Sequence, residues 1–165
     1  MPTVFIKNRD IMAVATNATV LGLWCKPDTL AWRAGQIKNA VMPHAELISK
    51  LAEAMLDESV EHEDGVDGAP GKRKIVDVLD PETGRATGRQ TYVWVDMAEF
   101  LRRDRALQDE GVEVVIPKLL TEEMIEQLER QRVAGHPLGQ DGQPIPTVDF
   151  GALAPVIDGT AVVVG

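Results

Sequence analysis

Ile75-Val-Asp-Val-Leu79 and Thr91-Tyr-Val-Trp-Val95 decide the fold. Both runs are short, rich in β-branched and aromatic residues, and set among turn formers, which is the pattern of strands. Asp80-Pro-Glu-Thr-Gly84 supplies a turn between them and residues 85–90 a further connector. The two runs are therefore expected to pair as an antiparallel hairpin whose tip projects beyond the sheet. Trp94 alternates with Val93 and Val95 and occupies the opposite face, so one face is expected in the core and the other at an interface or under a helix.

Towards the C-terminus, Asp96 can cap a helix, with Glu99 placed for a capping box and Met97, Phe100, Leu101 and Leu107 as the buried side. Gly111 ends that helix, and residues 112–116 read as a short strand stopped by Pro117. Thr121 caps a further helix with acids in its first turn, Arg130 and Arg132 in its last, a narrow stripe of Met124, Ile125 and Leu128, and Gly135 at its end.

Towards the N-terminus, Lys72-Arg73-Lys74 reads as a solvated hairpin entrance. Residues 57–73 combine an acidic run with Gly68-Ala-Pro-Gly71 and read as a loop or linker. Residues 43–56 form an amphipathic helix, with Pro43 in its first turn and Leu47, Ile48, Leu51 and Met55 on one stripe. Residues 28–34 offer a helical turn that Gly35 interrupts. Residues 11–24 read as two short strands or an extended arm, and residues 3–7 as a strand.

The last 32 residues hold six Gly, four Pro and no Lys or Arg. Such a segment has few long side chains to offset the entropy of ordering, so it is expected to be held by the body of its own subunit or by a neighbour. Residues 135–146 are a Pro/Gly linker, after which apolar character returns at Val148, Phe150, Leu153, Val156, Ile157 and Val162-Val163-Val164. Fully extended from Asp149, this arm would reach roughly 55 Å. Its valine run, a hazard if left open, is expected to join a sheet edge in cis or in trans.

The expected fold is α+β: a small, mainly antiparallel sheet built on the hairpin, two or three packed helices and an extended C-terminal arm. The body spans residues 1–133, including the acidic loop 57–73, and the linker and arm span 134–165. At 165 residues with 44% hydrophobic content, a core can form without staples, and the 4% aromatic content leaves it to Val, Leu, Ile, Ala and Met. Seventeen basic against 26 acidic residues give a net charge of −9, which argues against nucleic acid as the main partner. No run is long and apolar enough for a membrane, and the start lacks the charged and apolar regions of a signal peptide. A single Cys25 fits a reducing compartment, so a cytoplasmic or virion location is expected.

Chemistry-bearing patterns are weak. Ser49 lies in the amphipathic helix and Ser59 in the acidic run, neither in a nucleophile's context. Cys25, between Trp24 and Lys26, reads as an incidental thiol. Glu61-His62-Glu63-Asp64 matches neither a calcium loop nor a zinc helix, and His44 and His136 read as local hydrogen-bonding residues. Gly84-Arg-Ala-Thr-Gly88 lacks the residues of a phosphate loop and reads as a hairpin tip. No catalytic, metal or cofactor residues are assigned. Core packing is the expectation for Trp24, Trp32 and Trp94, although Trp and Arg are also enriched among interface hot spots.

The function expected is a non-enzymatic structural subunit of a larger homo-oligomeric assembly. A viral or bacteriophage virion component, such as a capsid-decoration, connector or tail protein, is one such setting. Its partners would be copies of itself and other proteins of the assembly. The contact residues expected are Trp94, Arg85, Arg89, Val148, Phe150, Leu153, Val156, Ile157, Val162, Val163 and Val164. A small intracellular enzyme using carboxylates or a cation, and an acidic adaptor or chaperone, stand as alternatives.

Overall fold

Thr3–Lys7 forms β1, the central strand of an antiparallel sheet in which Gly111–Val115 (β4) and Val162–Val164 (β5) flank it on either side. The computed structural model describes residues 1–24, 29–135 and 141–165. The chain divides into two compact units, residues 1–48 with 108–165 and residues 49–107. The fold is α+β.

In the first unit Val4 pairs with Val114 on one side and Val163 on the other, and Val4, Ile6 and Val114 turn inward to about complete burial. Gly111 lies opposite Lys7, where a Cβ would run into the Phe5 ring and the Ile6 carbonyl, so close strand approach requires glycine there. The chain then enters α1 (Asn8–Trp24), whose first amide donates to the Glu110 carbonyl at 2.9 Å.

This helix overturns the strands or extended arm expected over residues 11–24. Ile11, Val14, Ala15, Ala18, Leu21 and Trp24 all bury on one face at helical spacing. Val and Thr cost only tenths of a kcal/mol each in a helix, whereas full burial of a Val, Leu or Ile side chain is worth roughly 1.5–3 kcal/mol, so the buried face prevails.

A second correction concerns α2 (Thr29–Ser59), one helix of 31 residues that passes through both Gly35 and Pro43. Leu30, Ala34, Ile37, Val41 and Ala45 form its buried stripe. A mid-helix proline costs about 3 kcal/mol, which that stripe outweighs. The apolar stripe expected further along is half open, with Leu47 and Leu51 exposed.

The C-terminal half of the first unit closes its core. Thr121 caps α4 (Glu122–Ala134), its hydroxyl accepting the Met124 amide, and Leu128 is buried. The apolar tail docks in cis and does not use its extended reach. A short 3-10 helix, Gly151–Val156, buries Leu153 and Val156 completely. Leu120 bonds to both sides of the following turn, donating to Val156 and accepting from Asp158. The Trp24 indole donates to the Pro146 carbonyl at 2.7 Å, and Asn17 Oδ1 accepts the Asp149 amide at 2.7 Å.

The second unit contains the end of α2, the expected hairpin and α3 (Met97–Asp109) up to Leu107. Residues 57–73 are not loop throughout: α2 runs to Ser59, after which Val60 bridges Trp94 and His62 bridges Arg73 in antiparallel fashion. Ser59 is buried and its hydroxyl caps the helix on the Met55 carbonyl.

The hairpin forms with β2 (Ile75–Leu79) as expected, but its second strand is β3 (Ala86–Tyr92), so most of the expected connector is strand. Ile75 pairs with Tyr92 and Leu79 with Ala86, with an irregularity between Asp77 and Leu79. A ribbon with two open faces needs no buried side, so polar residues extend it. The Asp80 carboxylate accepts the Glu82 and Thr83 amides and Gly84 takes φ 66°, which makes the turn tight.

Asp96 caps α3 as expected, accepting the Glu99 amide at 2.9 Å, but Glu99 pairs with Arg102. The buried stripe expected on α3 is absent: Met97 and Leu101 are exposed, while Phe100 and Leu107 are half-buried. Among the described residues, no helix is long and apolar enough to cross a membrane.

Candidate interaction surface

The β2–β3 ribbon carries apolar residues on both faces. Ile75 and Leu79 are 52% and 58% exposed, and Val76 and Val78 on the other face are 47% and 36% exposed. Among the described residues, no further strand joins this two-stranded sheet. Val95, Met97 and Leu101 add exposed apolar surface in the same unit. An isolated two-stranded hairpin is marginal in water, so the base of the ribbon must be held.

That base is locked by charge and by rings. Arg73 Nε donates to Asp57 at 2.7 Å and its Nη2 to Glu53 at 2.6 Å, both acids standing one helical turn apart on α2. The Arg73 guanidinium also lies 5.9 Å from the centre of the Tyr92 ring. The hydrogen bond from Arg73 holds the Asp57 carboxyl below its ordinary range, with a smaller contribution from His62, whose Nε2 is 3.6 Å away. Lys74 pairs with Glu61, and Arg103 of α3 with Glu58 of α2. Exposed pairs of this kind are individually weak, so geometry is what this network chiefly supplies.

Trp94 sits between Tyr92, edge-on at 6.0 Å, and Phe100 at 5.0 Å, and is half-buried. Trp24 is buried as expected, but Trp32 is 59% exposed, which overturns core packing for that residue. Arg85 and Arg89 project from the turn and from β3, exposed and without an ion pair among the described residues. Gly84 and Gly88, both at positive φ, shape the tip and strand of the ribbon.

The other contact residues expected from the sequence lie in the first unit. Val148, Leu153 and Val156 are buried in that unit's core, with Phe150 and Ile157 packed against it. Val162, Val163 and Val164 are 61%, 57% and 36% exposed, paired to β1 along one edge of β5. Their other edge carries no strand among the described residues. Sequence reasoning missed Ile75, Val76, Val78 and Leu79 as surface residues. The signal was present: β2 is apolar on both faces while its partner Ala86–Tyr92 is largely polar, a contrast that leaves β2 without cover of its own.

Among the described residues, no group of three or more His, Cys, Asp or Glu side chains could hold a metal ion. The readings of Cys25 and His136, and part of the expected linker 135–146, lie outside the described residues. The chain matches no protein-family model, no curated protein and no solved structure.

Proposed function

We propose that this chain is a non-enzymatic structural subunit that assembles with copies of itself, the ribbon of the second unit being its main contact. The observation that carries the reading is β2, whose four apolar side chains are 36–58% exposed on two faces. An apolar strand exposed on both faces is a site for coverage by another chain.

The magnitudes suit multiple weak contacts better than one tight pair. Covering a half-exposed Val, Leu, Ile or Met gains about 1 kcal/mol, half of its full transfer value. Ile75, Val76, Val78, Leu79, Val95, Met97 and Leu101 together have a gain comparable with the roughly 4–15 kcal/mol cost of association. Repeated contacts in an assembly offset that cost where a single one does not. Arg85 and Arg89 give the ribbon cations without an ion pair among the described residues on a chain of net charge −9, which favours docking on an acidic surface of a neighbouring copy. A virion of a virus or bacteriophage is a setting for such a subunit, with other proteins of the same particle as further partners; this placement rests on analogy of architecture.

Light scattering tests the reading. The intact chain is expected above its subunit mass of 18.0 kDa, and the double variant Ile75→Ser/Leu79→Ser at a lower mass with unchanged helical circular dichroism. A chain that stays at one subunit mass at high concentration overturns it.

A further inference from the structure

Among the described residues, four named strands have an edge that no further strand joins: β4 and β5 at the sides of the three-stranded sheet, and β2 and β3 at the sides of the ribbon. An open edge exposes unpaired N–H and C=O groups and invites another strand unless something opposes it. When a two-fold axis brings in the same strand of a second copy, antiparallel pairing over the full strand sets its midpoint against itself. The midpoint of β2 is Asp77, that of β3 is Arg89 and that of β4 is Glu113. Each of these unions places like charges directly opposite, which is destabilising.

The edge of β5 differs. Its midpoint is Val163, the strand is Val162-Val163-Val164, and it carries no charge or proline to oppose pairing. Its side chains are exposed and β1 occupies its other edge. We propose that β5 pairs antiparallel with β5 of a second copy about a two-fold axis, joining the two three-stranded sheets into one of six strands. The proposal rests on the self-assembly reading and adds to it a second contact, distinct from the ribbon, with a defined partner and symmetry. Three residues a side make this contact small, so it acts together with the ribbon contact.

The pairing sets Val163 opposite Val163 of the second copy at a Cα separation of about 4.5 or 5.5 Å, depending on the hydrogen-bonding position. Both values fall in the disulfide window of roughly 4.4–6.8 Å. In a Cys25→Ser background, which removes the chain's one cysteine, Val163→Cys is expected to give a disulfide-linked dimer under mild oxidation. Val162→Cys in the same background is expected to give little, because this register sets Val162 opposite Val164 of the second copy and leaves the two Val162 positions diagonal, roughly 7–8 Å apart and beyond that window. Val163→Lys is expected to move association to higher concentration with circular dichroism unchanged.

Equal cross-linking of the two cysteine variants overturns the β5 contact, as does a cross-link confined to Val162→Cys. An intact chain with a native mass above one subunit, but with neither the Val163→Cys cross-link nor the Val163→Lys effect, also overturns it and leaves self-assembly standing. A native mass of one subunit overturns both.

Discussion

The two units differ most in where their apolar residues lie. The contiguous buried cluster falls wholly in residues 1–48 and 108–165, drawing on β1, α1, the first part of α2, β4, α4, the 3-10 helix and the segment before it. Among the described residues of 49–107 the one buried hydrophobic is Val60, while Ile75, Val76, Val78, Leu79, Val95, Met97 and Leu101 are exposed. A core of the first kind is stable by its own burial. The second unit is held by ion pairs, edge-on and tilted ring contacts and a ladder at the ribbon's base, and its apolar side chains stay exposed. Within one chain, burial marks the part that folds for itself, and on the proposed function exposure marks the part that meets a partner.

Deletions separate the two regions most sharply. Truncation after Arg132 removes Ile145, Val148, Leu153, Val156 and β5 from the core cluster and its sheet. Stability of a native domain is only about 5–15 kcal/mol, so this loss is expected to abolish the cooperative thermal transition of the first unit in circular dichroism. Excision of the ribbon is expected to be tolerated. The Val93 amide donates to the Lys74 carbonyl at 3.0 Å, so residues 75–92 can be replaced by Asn-Gly as a two-residue turn. That variant should retain its helical signal and lose its native mass above one subunit. Loss of helical signal in the excision variant would break the comparison.

Point substitutions sharpen it. Leu153→Ala, at a completely buried position, is expected to cost about 2–5 kcal/mol in denaturant unfolding. Leu79→Ala, at a position 58% exposed, is expected to stay within roughly 0.5 kcal/mol of the parent under dilute conditions. Equal costs would place Leu79 in a core.

The smallest effect concerns the base of the ribbon. Arg73 holds the Asp57 carboxyl below its ordinary range, so the stabilisation linked to Asp57 is present above that range and is lost as pH falls through the lowered pKa. Arg73→Ala is expected to return Asp57 towards the ordinary value of roughly 3.9, measured by NMR titration of its carboxyl. An Asp57 titration unmoved by the substitution would remove Arg73 as its partner.

Local chemistry was the legible part of this sequence. Thr121 and Asp96 cap their helices, Gly84 turns the hairpin, and β1 and β2 occupy the expected residues. These features depend on neighbours in the chain, and sequence displays them directly. α1 was concealed because its Val, Ile and Thr residues favour strands, although Ile11, Val14, Ala15, Ala18 and Leu21 keep a helical period that was there to be read. The continuity of α2 through Gly35 and Pro43 depends on what covers Leu30, Ala34, Ile37 and Val41, which no local pattern reveals. The same holds at the candidate surface. Leu153 and Ile75 are equally apolar, and only the packing of distant segments makes one core and the other surface.

Hydrogen exchange of the intact chain at two concentrations measures the ribbon's coverage most directly. In dilute solution the amides of β2 and β3 are expected to exchange fast and those of β1 slowly. On concentration into the assembly, the ribbon amides should slow while those of β1, already protected inside its sheet, stay unchanged. Ribbon amides that exchange equally fast at both concentrations, while the native mass rises, would contradict the claim that this ribbon is the surface the assembly covers.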